Sequence, residues 1–271
     1  EIPQVNTILM TTHFNGKQPG PLQFLKSFLT FFRTRHLLFP LITISLFFWN
    51  PSFGQSESTK NLYTIKKGDP NGIGKWYMGR EIAHVMGYQG MGWLERPERE
   101  AEEKTTALIK NLEIHPEDRI ADIGAGSGYH VFRMAPLAAK GKIYAVDIQP
   151  EMLEVIERRK KTMAIDNIEL IPGDEKSVNL PENSVDKVLM VDVYHEFSFP
   201  AEIMESIKRA LRPGGKVYLI EYRGEDESIP IKKLHKMTVN QAVKEMKAVG
   251  FNLESNLSNL PRQHCMVFIK E

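Results

Sequence analysis

The amino-acid sequence predicts an α/β fold built around a largely parallel sheet. Along residues 116–271, short apolar runs that suit buried strands alternate with segments whose apolar residues recur every three or four positions. This alternation is typical of chains in which helices connect parallel strands. A glycine-rich turn at residues 124–128 directly follows the first apolar run. Proteins of this architecture bind ligands at the carboxyl ends of their strands.

The first half of this region supplies four predicted strands. Each is a short aliphatic run, and the helix after the second run begins at Pro150 and Glu151, which suit a first helical turn. The strands are predicted over residues 120–123, 142–147, 168–171 and 187–191, and a helix is predicted over residues 129–138.

The second half continues the alternation. Apolar residues at three- and four-residue spacing predict a helix over residues 200–211, which the Pro-Gly-Gly sequence at residues 213–215 ends. A fifth strand is predicted over residues 216–221. Thr238 has the spacing of a capping residue and begins another helix. Two final strands are predicted over residues 251–255 and 265–269.

Residues 55–115 have a different composition. Loop-forming sequence at residues 68–74 is followed by glycines interspersed with aromatic residues and methionines. Residues 97–112 then predict a helix, because glutamates fill its first turns and Lys110 lies near its end, as the helix dipole favours. We expect this segment to form a helical cap over a ligand pocket. A structural extension packed against the sheet is the alternative.

Residues 1–54 have the character of a leader. Basic residues at 33–36 precede a mostly apolar run at residues 37–49, and the small residues Ser52 and Gly54 follow. This is the anatomy of a signal peptide, and the apolar run is short for a membrane span, which needs about 20 residues. We therefore expect an exported protein, with cleavage after Gly54. A membrane-anchored protein that keeps its leader is the alternative, and residues 1–32 are not expected to contribute to the fold.

Composition narrows the possible partners. The 271 residues are 42% hydrophobic and carry a formal net charge of +1. Because no long basic run or aromatic-basic pattern is present, we do not expect a nucleic-acid partner. Cys265 is the single cysteine, which excludes an intramolecular disulfide and a cysteine-based zinc site. Cys265 lies in the last predicted strand, where it suits packing.

The glycine-rich turn has the chemistry of a cofactor cradle. Gly124, Gly126 and Gly128 allow the chain to turn sharply and leave backbone amides open to a ligand. In the dinucleotide fingerprint the third glycine comes one residue later, at the position of Tyr129. The spacing therefore departs from that of NAD-binding proteins, and an ordinary structural turn is the other interpretation.

Acidic residues end the next predicted strands. Asp147 lies at the tip of the second strand, where a carboxylate can accept hydrogen bonds from both ribose hydroxyls. Asp174 follows the third strand and can accept from an adenine amino group, although a solvated turn acid would look the same. Residues 192–196 follow the fourth strand and are rich in titratable groups. For Asp147 the alternative is an acid at a helix N-terminus.

These segments together resemble the class I S-adenosylmethionine-dependent methyltransferases, in the broad group that includes the ubiquinone/menaquinone-type and type 11 enzymes. The resemblance covers about residues 117–271, and it depends on several motifs in the expected order. The matching segments are residues 122–128, 144–147, 173–174, 192–196 and 211–219.

The resemblance implies a Rossmann-like fold, with a seven-stranded mostly parallel sheet, helices on both faces and an antiparallel last strand. It implies S-adenosylmethionine as the cofactor, which the glycine spacing favours over NAD. It does not identify the methyl acceptor, which we expect to be a small molecule. The expected cofactor-binding residues are Asp122, Gly124, Ala125, Gly126, Gly128, Asp147, Ile148, Gly173, Asp174 and Asp192.

The acceptor side is predicted from residues 194–196. A sulfonium methyl is already electrophilic, so alignment of the acceptor and exclusion of water suffice, and no metal is expected. For an oxygen or nitrogen acceptor, His195 is the candidate general base. Glu196 can orient His195 or take the proton itself, and Tyr194 can line the pocket. A purely structural histidine is the alternative.

A second polar cluster is a weaker candidate. Residues 221–223 follow the fifth strand and residues 232–236 add lysines and His235, so that together they can bind an anionic acceptor. A solvated basic loop is the alternative. Two other function classes also fit the sequence: an NAD-dependent oxidoreductase, and a methyltransferase-like module that binds cofactor without turnover.

Overall fold

Residues 62–271 are described by the structure, which is a computed structural model. Residues 1–61, which include the predicted leader, lie outside the described part. A seven-stranded sheet is the centre of the described chain, and a separate three-stranded antiparallel sheet precedes it in sequence.

The three-stranded sheet consists of β1 (Tyr63–Ile65), β2 (Gly72–Tyr77) and β3 (Arg80–Ala83). The helices that follow it are α1 (Met91–Leu94), α2 (Arg99–Glu103) and α3 (Thr105–Asn111). Part of the loop predicted at residues 68–74 is therefore strand, and the predicted helical cap begins with β-structure. No sequence pattern indicated this sheet, because its strands are short and because β2 and β3 contain glycine or charged residues.

The large sheet contains β4 (Arg119–Ile123), β5 (Lys142–Asp147), β6 (Ile168–Pro172), β7 (Val185–Val191), β8 (Leu211–Tyr222), β9 (Phe251–Leu257) and β10 (Gln263–Lys270). Its spatial order is β6-β5-β4-β7-β8-β10-β9. The pairs from β6 to β8 are parallel, and β10 is antiparallel to both of its neighbours. This confirms the predicted Rossmann-like, mostly parallel sheet with an antiparallel last strand.

Helices pack on both faces of this sheet. They are α4 (Val131–Met134), α5 (Pro150–Thr162), α6 (Pro200–Ala210) and α7 (Val239–Ala248). Alternate side chains of β4 enter two different apolar clusters: Ile120 joins one with α3, α4 and α5, and Ala121 joins the other with α6 and α7. Because strand side chains alternate between faces, the sheet separates two hydrophobic cores. Cys265 is buried in the first of them, as predicted.

The helix predicted over residues 97–112 is broken in two. Lys104 adopts a left-handed conformation with φ 52° between α2 and α3. The Glu100 carboxylate then accepts hydrogen bonds from the Thr105 hydroxyl and the Thr106 amide. A side chain of α2 therefore caps the start of α3 at the break. The helix propensities of the residues do not predict this break.

Two further boundaries differ from prediction. The helix predicted over residues 129–138 is reduced to α4 and a series of turns, because Pro136 lacks the N–H that a continuing helix needs. The fifth strand begins at Leu211, ahead of the Pro-Gly-Gly sequence, with a register shift between Val185 and Lys187 on the neighbouring strand. Among the helices of residues 62–271, none combines the length and apolar character of a membrane span.

Candidate active site

A cavity of about 580 Å³ opens at the carboxyl ends of the parallel strands. Its wall includes the ends of β4, β5 and β7 and the segment after β6. Since β5 and β7 lie on opposite sides of β4, the cavity lies at the point where the strand order reverses, which is the usual ligand site of open α/β sheets.

Gly124 and Gly126 of the glycine loop, residues 124–128, line this cavity. The amides of Gly124 and Ala125 donate to the Val146 carbonyl oxygen at 2.8 and 3.0 Å, which ties the loop to β5. Gly124, Gly126 and Gly128 all have positive φ. A Cβ at Gly124 would come within 2.4 Å of a Val193 methyl group. The loop therefore needs glycine for its conformation and for the close approach of its neighbours.

Asp147 ends β5 and faces the cavity. Its carboxylate accepts hydrogen bonds from the Gly126 amide at 2.8 Å and the Gln149 amide at 2.9 Å. Burial raises the pKa of Asp147, while the hydrogen bonds from backbone amides act in the opposite direction. One carboxylate thus fixes the glycine loop and presents negative charge to the cavity.

The neighbouring predicted residues also line the wall. Ile148, Gly173 and Asp174 lie beside Asp147 in the cavity. The Asp174 carboxylate accepts from the amides of Lys176 and Ser177, both at 2.8 Å. This turn holds Asp174 at the cavity edge.

Asp192 and Arg99 bring an acidic and a basic side chain to the cavity wall. Asp192 has φ 52°, and one of its carboxylate oxygens accepts a hydrogen bond from the side-chain amide of Gln263 at 2.6 Å. The other oxygen is buried and has no hydrogen-bond partner among the described residues. Burial, with the charges of Glu103 and Glu221, raises the pKa of Asp192 well above its usual value. A cationic ligand group at this oxygen would offset the free-energy cost of burying a carboxylate oxygen without a partner.

Arg99 comes from the cap and is 3% exposed. Its guanidinium pairs with Glu103 at 2.8 Å and donates to the Leu94 carbonyl oxygen at 2.9 Å. Because Arg99 also belongs to the cavity wall, it offers positive charge beside Asp192.

Four predicted site residues lie outside the cavity wall. Asp122 is buried within β4, and burial raises its pKa to about 7. Gly128 packs against Phe132 and Ile156, where an added Cβ would come within 2.8–3.0 Å of them. Ala125 is buried in the core. Tyr194 is 1% exposed and donates to Glu245 at 3.0 Å. The prediction that Tyr194 lines the pocket is wrong, because its ring points into the core beneath the site.

His195 and Glu196 do line the cavity, together with His235. His195 Nδ1 lies 2.6 Å from Glu221, and its Nε2 lies 3.0 Å from His235 Nδ1. Burial lowers the pKa of His195, but the charge and hydrogen bond of Glu221 outweigh it, so the net pKa lies above the usual value. Glu196 accepts from the Met86 amide at 3.1 Å. We call His195, Glu196 and His235 the histidine cluster.

The second predicted polar cluster is not assembled as expected. Glu221 is fully buried and serves His195. Arg223 donates to the carbonyl oxygens of Leu260 and Pro261, so it is committed to a structural loop. Lys232 and His235 alone of residues 232–236 belong to the cavity wall.

The cap covers the cavity with mostly apolar side chains. Val85, Met86, Trp93 and Leu94 line the wall. Leu94 also lies against the glycine loop, since a Cβ at Gly126 would come within 2.7 Å of its methyl group. Residues 62–115 therefore contribute directly to the site.

Sequence reasoning missed Arg99, Gln263 and the role of Glu221. Arg99 is one of many charged residues in a predicted helix, and Gln263 precedes the last predicted strand. No sequence motif therefore marked either residue as part of a site. Glu221 could have been found, because it lies near the carboxyl end of β8, which is parallel to β7 and ends at the same sheet edge as His195.

The strand order, the glycine loop and the acids at the strand ends define a protein of the Rossmann-like class that binds a nucleotide-type cofactor. Comparison with known proteins narrows the class. A family described as a methyltransferase domain matches residues 114–262, and the chain belongs to this family.

Individual relatives agree with the family. An uncharacterized methyltransferase of Bacillus subtilis, YdaC, is 30% identical over 143 residues, which cover 53% of this chain and 76% of the relative. An uncharacterized methyltransferase-like protein of Schizosaccharomyces pombe is 36% identical over 119 residues, which cover 44% of this chain and 43% of that protein. In fold, the chain is similar to the crystal structure of a SAM dependent methyltransferase from Aquifex aeolicus, with a TM-score of 0.65, 20% identity, and coverage of 69% of this chain and 100% of the other.

The chain is thus a methyltransferase by family, with the fold of the SAM dependent methyltransferase from Aquifex aeolicus. The site residues fit S-adenosylmethionine as a cofactor. Gly124 and Gly126 line the cavity without a side chain. A buried carboxylate oxygen of Asp192 has no hydrogen-bond partner among the described residues, so it is available to an ammonium group.

Proposed function

We propose that this protein transfers the methyl group of S-adenosylmethionine to a small-molecule acceptor held under the cap. The observation that carries the proposal is the convergence of the glycine loop, Asp147 and the histidine cluster on one cavity. The cofactor supplies an electrophilic methyl group, so the protein has to align the acceptor and exclude water.

The cofactor is assigned to the strand-end residues. Asp147 holds the ribose hydroxyls, and Ile148, Gly173 and Asp174 contact the adenine side. The methionine ammonium group pairs with the free oxygen of Asp192, and Arg99 attracts the methionine carboxylate. Opposite charges on Asp192 and Arg99 match the zwitterionic end of the cofactor.

The acceptor is assigned to the space between the cap and the histidine cluster. Apolar side chains of the cap and of residues 230–231 form most of this wall, which suits a small, largely apolar acceptor. Glu221 engages Nδ1 of His195, and Nε2 faces His235 at the edge of this space. His195 can therefore take the acceptor's proton, with Glu196 beside it.

The leader remains a proposal based on sequence. A signal-peptide-like segment within residues 1–54 favours export, and retention of that segment favours membrane attachment. N-terminal sequencing of the protein recovered from its host decides between them, because cleavage leaves Gln55 as the first residue.

Turnover tests the proposed function. The protein is incubated with S-adenosylmethionine and a panel of small phenols, thiols, amines and carboxylic acids, and S-adenosylhomocysteine and methylated product are quantified. We expect stoichiometric formation of both with at least one acceptor. His195→Ala is expected to lower turnover on the order of 100-fold or more, whereas His84→Ala, at an exposed position, leaves it unchanged. Cofactor binding without turnover on any acceptor would favour a non-catalytic module.

A further inference from the structure

The histidine cluster brings three ligand atoms together at the acceptor end of the cavity. His195 Nε2 lies 3.0 Å from His235 Nδ1 and 3.9 Å from a Glu196 carboxylate oxygen. His235 Nδ1 lies 3.5 Å from the same oxygen. The three atoms form a compact triangle in the cavity wall.

The size of this triangle matches a metal coordination shell. Bonds of about 2.0–2.1 Å in tetrahedral geometry place neighbouring ligand atoms about 3.3 Å apart. The observed separations lie on both sides of this value. Two histidines and one carboxylate are also a familiar catalytic ligand set, in which a fourth position stays open.

Groups behind the cluster hold the ligands in the required orientation. Glu221 is fully buried and engages His195 Nδ1 at 2.6 Å, so the lone pair of that ring lies on Nε2, towards His235. The Met86 amide donates to Glu196 at 3.1 Å. A carboxylate behind a ligating histidine is the usual support of a metal site.

The charges of the cluster also favour a cation. Glu196 and Glu221 are carboxylates, and both lie against His195. The facing nitrogens of His195 and His235, 3.0 Å apart, need a hydrogen atom between them. A divalent cation can replace that hydrogen and balance both carboxylates.

We propose that His195, Glu196 and His235 bind a first-row divalent metal ion of the Zn²⁺ type, with its open position towards the acceptor. This inference rests on the proposed function and changes only how the acceptor loses its proton. An acceptor hydroxyl or thiol binds the metal as its anion and releases its proton to water. The anion then forms the new bond to the methyl carbon as the methyl–sulfur bond breaks, which leaves neutral S-adenosylhomocysteine.

Metal binding is measured directly on the full chain, independently of turnover. Protein freed of metal with a chelator is titrated with ZnCl₂ in a calorimeter, and Co²⁺ is added as a spectroscopic probe. We expect one Zn²⁺ per chain and a visible Co²⁺ absorption typical of bound nitrogen ligands. His235→Ala is expected to weaken Zn²⁺ binding by at least about 100-fold, since it removes one of three ligands. His84→Ala is the matched control and leaves it unchanged.

Glu196→Gln provides a second test in case His235→Ala does not fold, because it keeps the shape of the side chain and weakens the ligand. Zn²⁺ binding that is absent, or that is equal in both variants and the wild type, overturns the inference. Titration with S-adenosylhomocysteine in parallel distinguishes the two proposals. If the wild type binds S-adenosylhomocysteine but not Zn²⁺, only the metal site is rejected, and His195 is left as the proton acceptor. If it binds neither, the proposed function is rejected too.

Discussion

Gly124 and Gly214 share a backbone conformation but differ in their surroundings. Their φ angles are 71° and 76°. A Cβ at Gly124 would come within 2.4 Å of Val193, whereas no atom of the described residues lies within 4 Å of a Cβ at Gly214. Substitution of Gly214 therefore measures the strain of a positive φ alone, whereas substitution of Gly124 adds a clash in the cavity wall.

Alanine at these two positions is expected to have different effects on cofactor binding. Both substitutions lower the free energy of unfolding by about 1 kcal/mol, because both place a Cβ in the left-handed region. Gly124→Ala also displaces Val193 and weakens S-adenosylhomocysteine binding by at least about 10-fold, and Gly214→Ala does not. Calorimetric titration and urea unfolding check this, and equal affinities in the two variants would contradict the assigned cradle.

Asp122 predicts a pH-dependent contribution to stability. Its pKa is about 7 in the folded protein, against 3.8 for an ordinary aspartate. The folded state therefore holds this proton more tightly, and the stability that Asp122 contributes at low pH is lost as the pH rises through 7. At 1.36 kcal/mol per pKa unit, the loss reaches at most about 4 kcal/mol.

Asp122→Asn removes this dependence. Relative to the variant, the wild type is expected to lose stability between about pH 4 and 7, with little further change above that range. Urea unfolding across the range measures the difference, and Asp166→Asn, at an exposed carboxylate, is the control. Parallel stability curves for wild type and Asp122→Asn would show that the carboxyl has an ordinary pKa.

At residue scale, the sequence located most of the residues that line the cavity at the strand ends. Gly124, Asp147 and Asp192 follow strands, and strand ends can be read from short apolar runs. Tyr194 was misassigned because sequence order places it beside His195, while a 3-10 turn over residues 194–196 sends its ring into the core. Arg99 escaped prediction because its contacts depend on how the cap meets the sheet.

At the scale of elements, the break between α2 and α3 is the clearest departure from prediction. Lys104 takes a conformation that favours glycine, with φ 52° and ψ 52°. The break lets Glu100 cap α3. Arg99 and Glu103 pair within α2, one turn apart and ahead of the break.

Glycine substitution tests this interpretation. Lys104→Gly is expected to raise the free energy of unfolding by about 1 kcal/mol, because it removes the strain of a left-handed lysine. Lys110→Gly, at an exposed position within α3, is expected to lower it by about 1 kcal/mol. Thermal or urea unfolding compares the two, and destabilisation by Lys104→Gly would mean that α2 and α3 form one continuous helix in solution.

The strands of the large sheet and the helices that pack on it were predictable from the sequence, because each buries a regular set of apolar residues that shows as an apolar run or as helical periodicity. The three-stranded sheet was not, since β2 contains two glycines and a lysine and owes its place to contacts with distant elements. Arg80 of β3 illustrates this: it pairs with Glu245 of α7 at 2.8 Å and donates to the His195 carbonyl oxygen at 3.0 Å. Pairs so far apart in sequence leave no local pattern.

At the scale of the whole molecule, the sheet edge and the cap together line the cavity. Arg99 and Met86 come from the cap, while Asp147, Asp192 and His195 come from the sheet edge. The cavity is therefore bounded by elements from both parts of the described chain.

The central claim is that this cavity binds S-adenosylmethionine through the glycine loop and Asp147. Calorimetric titration of the full chain with S-adenosylhomocysteine, S-adenosylmethionine and NAD⁺ tests it most directly, with Asp147→Ala beside the wild type and Asp166→Asn as control. We expect one molecule of either sulfur ligand to bind per wild-type chain, no heat from NAD⁺, and loss of binding in Asp147→Ala alone. Wild-type protein that is folded and gives no heat with either sulfur ligand, or that binds NAD⁺ instead, would contradict the account.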